Sequence, residues 1–454
     1  MWNEVQWIKI PDMELRDKQI LHGDLGGRFA YFRLEQELPA DARLTARITA
    51  VSRYRLWVND QAVLSGSCKG DLNRQYYETV SLTPYLHAGK NVFAVQVLYN
   101  DPDIARDQTD ERAAIYGVVG AGNCHALAID GDITDAFGRV IGTISTGKAL
   151  WRVWLDRTFY LKSSEYTVYL GATEESVDAR RSPLEWKRLD FDASSWSLAC
   201  ASGPVMPSAL FQSVGLIPRV HLMPREIPLM EETECAFARV IRRKNDLVLD
   251  AGVEVNGYPR FSFNGNAGTE ITVTYLERFG NGADGARIDD MGGTVEGRAD
   301  HIILNGHLVN YEPFWVRTFR FIVVKSSDGM LPEMPAAQVY RKTGYPLSVE
   351  STVDSSTPWV GQLWGICLRT LQNCMLETYM DCPYYEQLQF IMDTRLQMLF
   401  TYAVSRDARL AKKALLDFHC GMRPEGLLPG KTPTAYCQVI STFSLHYVYA
   451  LWEY

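Results

Sequence analysis

The sequence predicts a multidomain β + α chain: two N-terminal β-sandwich domains, residues 1–205 and 206–350, followed by helical hairpins over residues 351–454. Three observations lead there. A chain of 454 residues exceeds one hydrophobic core and, at roughly 100 to 200 residues per domain, divides into two to four. Up to about residue 345, short apolar runs alternate with turn residues, the pattern of antiparallel sheets. After Val353-Asp354-Ser355-Ser356-Thr357-Pro358 the apolar period changes from strand-like to helical.

In the first stretch, a strand holding Tyr54, Leu56 and Val58 meets the turn pair Asn59-Asp60, and Ala62-Val63-Leu64 returns as a hairpin. Tyr85 to Asn91 separates two further strand-like segments, the second being Val92 to Val97. Trp186 and Trp196 are able to stack on a sugar, although packing inside a sandwich is the commoner use of such rings. The second stretch contributes Glu270 to Tyr275 and Arg320 to Val324 as strands. Its segment Gly280 to Gly297 is rich in glycine and acids and reads as a surface loop, without a recognised calcium-ligand spacing.

In the third stretch, Thr357 before Pro358 signals a helix start, and Val360, Leu363, Trp364, Cys367, Leu368, Leu371 and Met375 recur at helical spacing. Further helices are expected from Pro383, from about Arg406 to His419, and from about Val439 onward. Between the last two, Gly421 to Tyr436 reads equally as a rim loop over a site or as a plain connector.

Composition excludes several classes. A formal charge of -8 without a basic stripe argues against nucleic acid as partner. No run approaches 18 apolar residues, so no spanning helix and no membrane partner are expected. Met1 to Val5 lack the pattern of a signal peptide, which points to the cytoplasm. Nine scattered cysteines, none at zinc-ligand spacing, read as buried reduced thiols. His419 and His446 have no paired ligands in sequence and are read as ordinary helical histidines.

Chemistry concentrates in Asp381 to Asp393. Cys382 precedes proline and is pushed out of the α region, which places Asp381 in a loop and Pro383 at a helix start. Glu386 then falls in the first turn, and Asp393 two turns along on the same face, with Phe390 between them. Three carboxyls and a ring suit glycoside cleavage, which needs an acid for the leaving oxygen and carboxylates for hydroxyls. A helix N-terminus favours carboxylates, so an acid placed there has to be kept protonated by neighbouring carboxyls and rings. The same acids could equally complement the macrodipole, with Asp381 as a cap acceptor.

The segment Asp381-Cys382-Pro383, Glu386, Leu388 and Asp393 resembles the signature of glycoside hydrolase family 78, the α-L-rhamnosidases. Upstream, Arg53 to Asn59, Leu82 to Leu86, Leu249 to Gly252, Tyr311 to Phe314 and Arg317 to Phe321 are similar to the sandwiches preceding the catalytic barrel of these enzymes. The resemblance implies a galactose-binding or jelly-roll-like sandwich over 1–205, a concanavalin-like sandwich over 206–350 and the first hairpins of an (α/α)6 barrel over 351–454. It also implies Glu386 as catalytic general acid, Asp381 and Asp393 as rhamnose-binding carboxylates, and Phe390 in the place of a sugar-facing Trp. The substrate implied is a rhamnosylated glycoside or oligosaccharide, cleaved with inversion and without a metal or organic cofactor.

Two departures stand out. Tyr385, a further candidate substrate contact, replaces the family's usual arginine, and Gln389 and Met392 replace its glycines. The family's general base lies late in the barrel, and the chain holds about four of twelve helices, so no residue takes that role and apolar helix faces are expected to be exposed. A six-hairpin glycosidase of another sugar specificity and a non-catalytic carbohydrate-binding protein remain alternatives.

Overall fold

The computed structural model describes residues 2, 4–11, 28–70, 74–99, 126–163, 173–205, 222–280, 287–288, 291–330, 333–434 and 437–454. They form two compact units, one drawn from Met1–Gln108, Val118–Lys162 and Ser182–Arg225, the other from Ser163–Arg181 and Glu226–Tyr454.

In the first unit, strands run in the order Gln61–Gly66, Arg53–Val58, Gly89–Tyr99, Arg28–Leu38 and Arg152–Ser163. The hairpin between Arg53–Val58 and Gln61–Gly66 closes on Asn59 and Asp60, whose φ values of 53° and 63° are the left-handed pair that a two-residue turn requires. A second sheet is built around Arg43–Ala50, which pairs with Gln75–Ser81, Leu127–Asp130 and Asp132–Thr134. Alternate residues of both sheets, among them Phe32, Leu56, Val95, Leu44, Ile48 and Ile129, share one buried cluster, so the unit is a sandwich. Trp186 is buried and stacks on Tyr31 at 4.6 Å and 6°, with Trp196 beside it, which is internal packing.

In the second unit, the long strand Asp246–Phe263 pairs with Arg317–Ser326 and Val339–Gly344. Beyond Arg317–Ser326 the order continues through Glu270–Leu276 and Arg298–Ile303 to Thr173–Asp178, which is added in parallel. The strand Phe279–Gly280 pairs with Arg287–Ile288, while the rest of the expected loop at 281–286 and 289–290 lies outside the described residues.

Buried charge ties this sheet together. Arg317 reaches Asp300 at 2.6 Å and Glu175 at 3.0 Å. Tyr275 and Tyr311 donate to the same two carboxylates, and the backbone N–H groups of Phe314 and Trp315 donate to Glu175. Burial, opposed by Arg317 and aided by Asp300, pushes Glu175 up to about 7.

Four helices follow: α1 (Val360–Asn373), α2 (Ile391–Val404), α3 (Arg409–Cys420) and α4 (Ser441–Glu453). The first, third and fourth start two or three residues later than the sequence suggests. The second departs further: no helix begins at Pro383, and 382–390 is loop, with α2 opening at Ile391. Of the expected apolar stripe, Leu363 and Cys367 are exposed while Leu371 and Met375 are buried; Ile366 of α1 and Leu445, Val448 and Trp452 of α4 are exposed as well. No described helix is long and apolar enough to cross a membrane. The described cysteines are not uniformly buried: Cys68 and Cys374 are, whereas Cys367 and Cys437 are exposed, because they fall on uncovered helical and loop surface.

Glu175→Ala removes one acceptor of a buried guanidinium and orphans two N–H groups, so chemical denaturation is expected to show a loss of about 3–5 kcal/mol.

Candidate active site

The loop before α2 is held by short-range bonds that compete with helix formation. Asp381 and Leu388 bond reciprocally: the Leu388 N–H donates to Asp381 Oδ1 at 3.0 Å, and the Asp381 N–H to the Leu388 carbonyl at 2.9 Å. Within that clamp the Glu386 N–H donates to Cys382 Sγ at 3.3 Å and the Gln387 N–H to the Cys382 carbonyl. Gln387 sits at φ 55°, a left-handed conformation that interrupts any helix through this point.

The sheet of the same unit grips the loop from below. Tyr384 is buried and donates to the Tyr275 carbonyl at 2.7 Å, Thr318 donates to the Pro383 carbonyl at 2.6 Å, and Trp315 Nε1 donates to Gln387 Oε1 at 2.8 Å. Arg298 donates to the Tyr385 carbonyl. These anchors are why the segment stays turn and loop where proline suggested a helix.

The sequence-derived geometry is thereby corrected. Glu386 lies in a turn, not in the first turn of a helix, so the macrodipole does not act on it and the two-turn spacing to Asp393 is not a helical one. Asp393 is the acid in the first turn of α2. The structure nonetheless brings the three carboxyls within electrostatic reach. Asp381 is pushed up to about 7 by burial and then by the charge of the neighbouring Glu386. Asp393 is raised by burial, then by Glu386, and is pulled down by His446.

The other candidates are placed as follows. Phe390 takes the N-cap position of α2, half-buried, under Lys431 and edge-on to Phe443 at 6.4 Å. Tyr385 is half-buried and packs edge-to-face on Tyr384 at 5.0 Å. The connector between α3 and α4 runs against the loop, because the Ile391 N–H donates to the Gly430 carbonyl and the Thr432 N–H to the Gln389 carbonyl. Gln389 in turn donates to Asp417, which pairs with Lys413 at 2.7 Å in the interior. Residues 435–436 of that connector lie outside the described residues.

Sequence reasoning missed Phe443 and set aside His446. The signal available was their i, i+3 spacing on one helix face, but nothing local tied that face to Asp393. His419, by contrast, is exposed in the last turn of α3. Contacts between α2 and α4 advance together, from Phe390 with Phe443 to Arg395 with Tyr449 and Glu453, so the two helices run in the same direction. Their N-terminal ends meet beside the carboxyls. Among the described residues no His, Cys, Asp and Glu group is arranged to hold a metal ion.

A carboxyl-lined loop at the N-terminal ends of two parallel helices, anchored on a sheet, defines a glycosidase-like helical-hairpin domain. Residues 348–454 match the family described as the bacterial alpha-L-rhamnosidase 6 hairpin glycosidase domain, and residues 241–340 match the bacterial alpha-L-rhamnosidase concanavalin-like domain. Over those two segments the chain is similar to bacterial α-L-rhamnosidases.

Similar solved structures agree in fold. A GH78 family rhamnosidase of Bacillus sp. GL1 is 16% identical, covering 99% of this chain and 66% of that one, with a TM-score of 0.75. The α-L-rhamnosidase of Dictyoglumus thermophilum is 17% identical over 94% of this chain and 45% of that one, at 0.70. That of Streptomyces avermitilis, complexed with L-rhamnose, is 20% identical over 90% of this chain and 37% of that one, at 0.66. The chain therefore spans between about a third and two thirds of these relatives' lengths. No curated protein sequence matches it.

A carboxyl raised on folding stabilises the fold below its unfolded value, here 3.8, and that stability is lost as pH rises through about 7. Asp381→Asn keeps the acceptor for Leu388 but cannot ionise. Urea melts at pH 5 and pH 8 are expected to show a clearly smaller stability drop in the variant than in the parent.

Proposed function

We propose that the site hydrolyses terminal α-L-rhamnosides with inversion of configuration, Glu386 protonating the glycosidic oxygen while Asp381 and Asp393 hold sugar hydroxyls. The observation that carries this reading is that Asp381 and Glu386 are neighbouring carboxyls, close enough for Glu386 to oppose the ionisation of Asp381, in the segment matched to a six-hairpin glycosidase domain. Such a pair keeps one proton near neutrality, since two carboxylates in contact do not both ionise readily. Cleavage by inversion further requires a second carboxylate roughly 6.5–9.5 Å away to activate water; we assign that role to no residue of this chain. Phe390 offers an apolar wall for the sugar's carbon face, and Tyr385 a contact where the family carries arginine.

Support for the sugar comes from the Streptomyces avermitilis relative, whose structure holds L-rhamnose. A carbohydrate-binding protein is the second reading, and the chain spans 66% or less of each of the similar enzymes named above.

Hydrolysis of a chromogenic α-L-rhamnoside separates the two. Loss of the proton donor in Glu386→Gln is expected to lower kcat by about 10²–10⁴-fold, with L-rhamnose affinity changed less than about threefold. Affinity in the parent without any turnover means a binding protein; neither affinity nor turnover sinks the rhamnoside assignment.

A further inference from the structure

The first unit holds a cavity of about 630 Å³ that the chemistry described so far does not use. It lies where the strand Arg28–Leu38 outruns one of its neighbours: pairing with Arg152–Ser163 ends at Arg33, opposite Arg152, whereas pairing with Gly89–Tyr99 continues to Leu38. Leu34, Glu35 and Gln36 line the cavity along that unpaired edge, and Thr143 and Asp192 help to close it.

Arg33 and Arg152 are directly opposite on the face turned away from the sandwich core, because their chain neighbours Phe32, Leu34, Trp151 and Val153 belong to that core. Like charges opposite each other on paired strands are destabilising unless compensated. Compensation here is partial. Glu35 pairs with Arg33 at 2.7 Å but is shared with Lys90 at 3.0 Å. Arg152 spends Nη1 on the carbonyls of Ser194 and Trp196, at 3.2 and 2.9 Å, and among the described residues has no carboxylate partner. Its Nε and Nη2 remain as an unused fork. Arg33 is 1% exposed and its buried Nε has no partner among the described residues, so it adds charge from behind rather than contact. Lys148, also on the lining, is exposed and pairs with the exposed Glu4 at 3.2 Å, a contact worth little in water. Against these cations the lining sets Glu35 and Asp192, whose Oδ1 accepts the Ser194 N–H at 2.8 Å.

Two N–H groups on one guanidinium edge match the two oxygens of a carboxylate. The volume is that of a small-molecule site and exceeds what a carboxylate alone fills. Gln36, Thr143 and Ser194 supply partners for hydroxyls, and Ala149 and Leu150 an apolar wall.

We infer that this cavity binds an acidic sugar, its carboxylate on the unused fork of Arg152 with the Lys148 ammonium beside it, and its hydroxyls on Gln36, Thr143 and Ser194. The inference does not depend on the rhamnoside reading of the carboxyl-rich loop, which is of opposite charge.

Calorimetric titration of the whole chain with D-galacturonate, D-galactose and acetate tests it. D-galacturonate is expected to bind about tenfold more tightly than either control, since D-galactose lacks the carboxylate and acetate lacks the ring. Arg152→Leu and Lys148→Met are each expected to weaken D-galacturonate binding by about five- to tenfold. Arg152→Lys recovers only part of that loss, because an ammonium makes no paired contact. Absent binding of D-galacturonate, equal affinity for either control, or undiminished affinity in Lys148→Met overturns the inference. If circular dichroism shows Arg152→Leu misfolded, Lys148→Met, at an exposed position, decides alone.

Discussion

Burying Arg317 between Glu175 and Asp300 is the constraint on which the second unit depends. Two carboxylates and one guanidinium in a dry interior are stable only if every remaining lone pair and proton is used. The structure meets that demand with two tyrosine hydroxyls and two backbone N–H groups. Meeting it fixes Phe314 and Trp315, and Trp315 then fixes Gln387 beside Glu386. The placement of the reactive loop is thus inherited from electrostatics deep in the sheet, through one indole.

Much of this was legible in the sequence, in proportion to how local its causes are. Asn59 and Asp60 announced their hairpin because the turn needs left-handed residues and nothing else. The switch to helical period after Pro358 was legible for the same reason. The loop at 382–390 was not, because its partners Tyr275, Trp315 and Thr318 are far away in the chain and overrule the proline signal. Motif spacing still located the carboxyls, since a motif records composition around a site even when the backbone drawn through it is wrong.

The site also shows two opposed influences on one acid. The first turn of α2 favours Asp393 as an anion, whereas burial and Glu386 oppose ionisation, and the latter prevail. Parallel running of α2 and α4 brings a second N-terminal end to the same place, so partial positive charge from two helices bears on Asp393. Antiparallel neighbours would have set a negative helix end there instead.

The thiol at the centre of the loop has a practical side. Burial and the neighbouring Asp381 push Cys382 up to about 12, and Cys374 stands equally high. Only a thiolate attacks alkylating reagents or oxidises readily, so at neutral pH this sulfur is chemically silent while it serves as an acceptor for the Glu386 N–H. Dyes or spin probes directed at cysteine would instead settle on the open surface at Cys367 and Cys437, and the chain can be tagged there without disturbing the turn that holds Glu386.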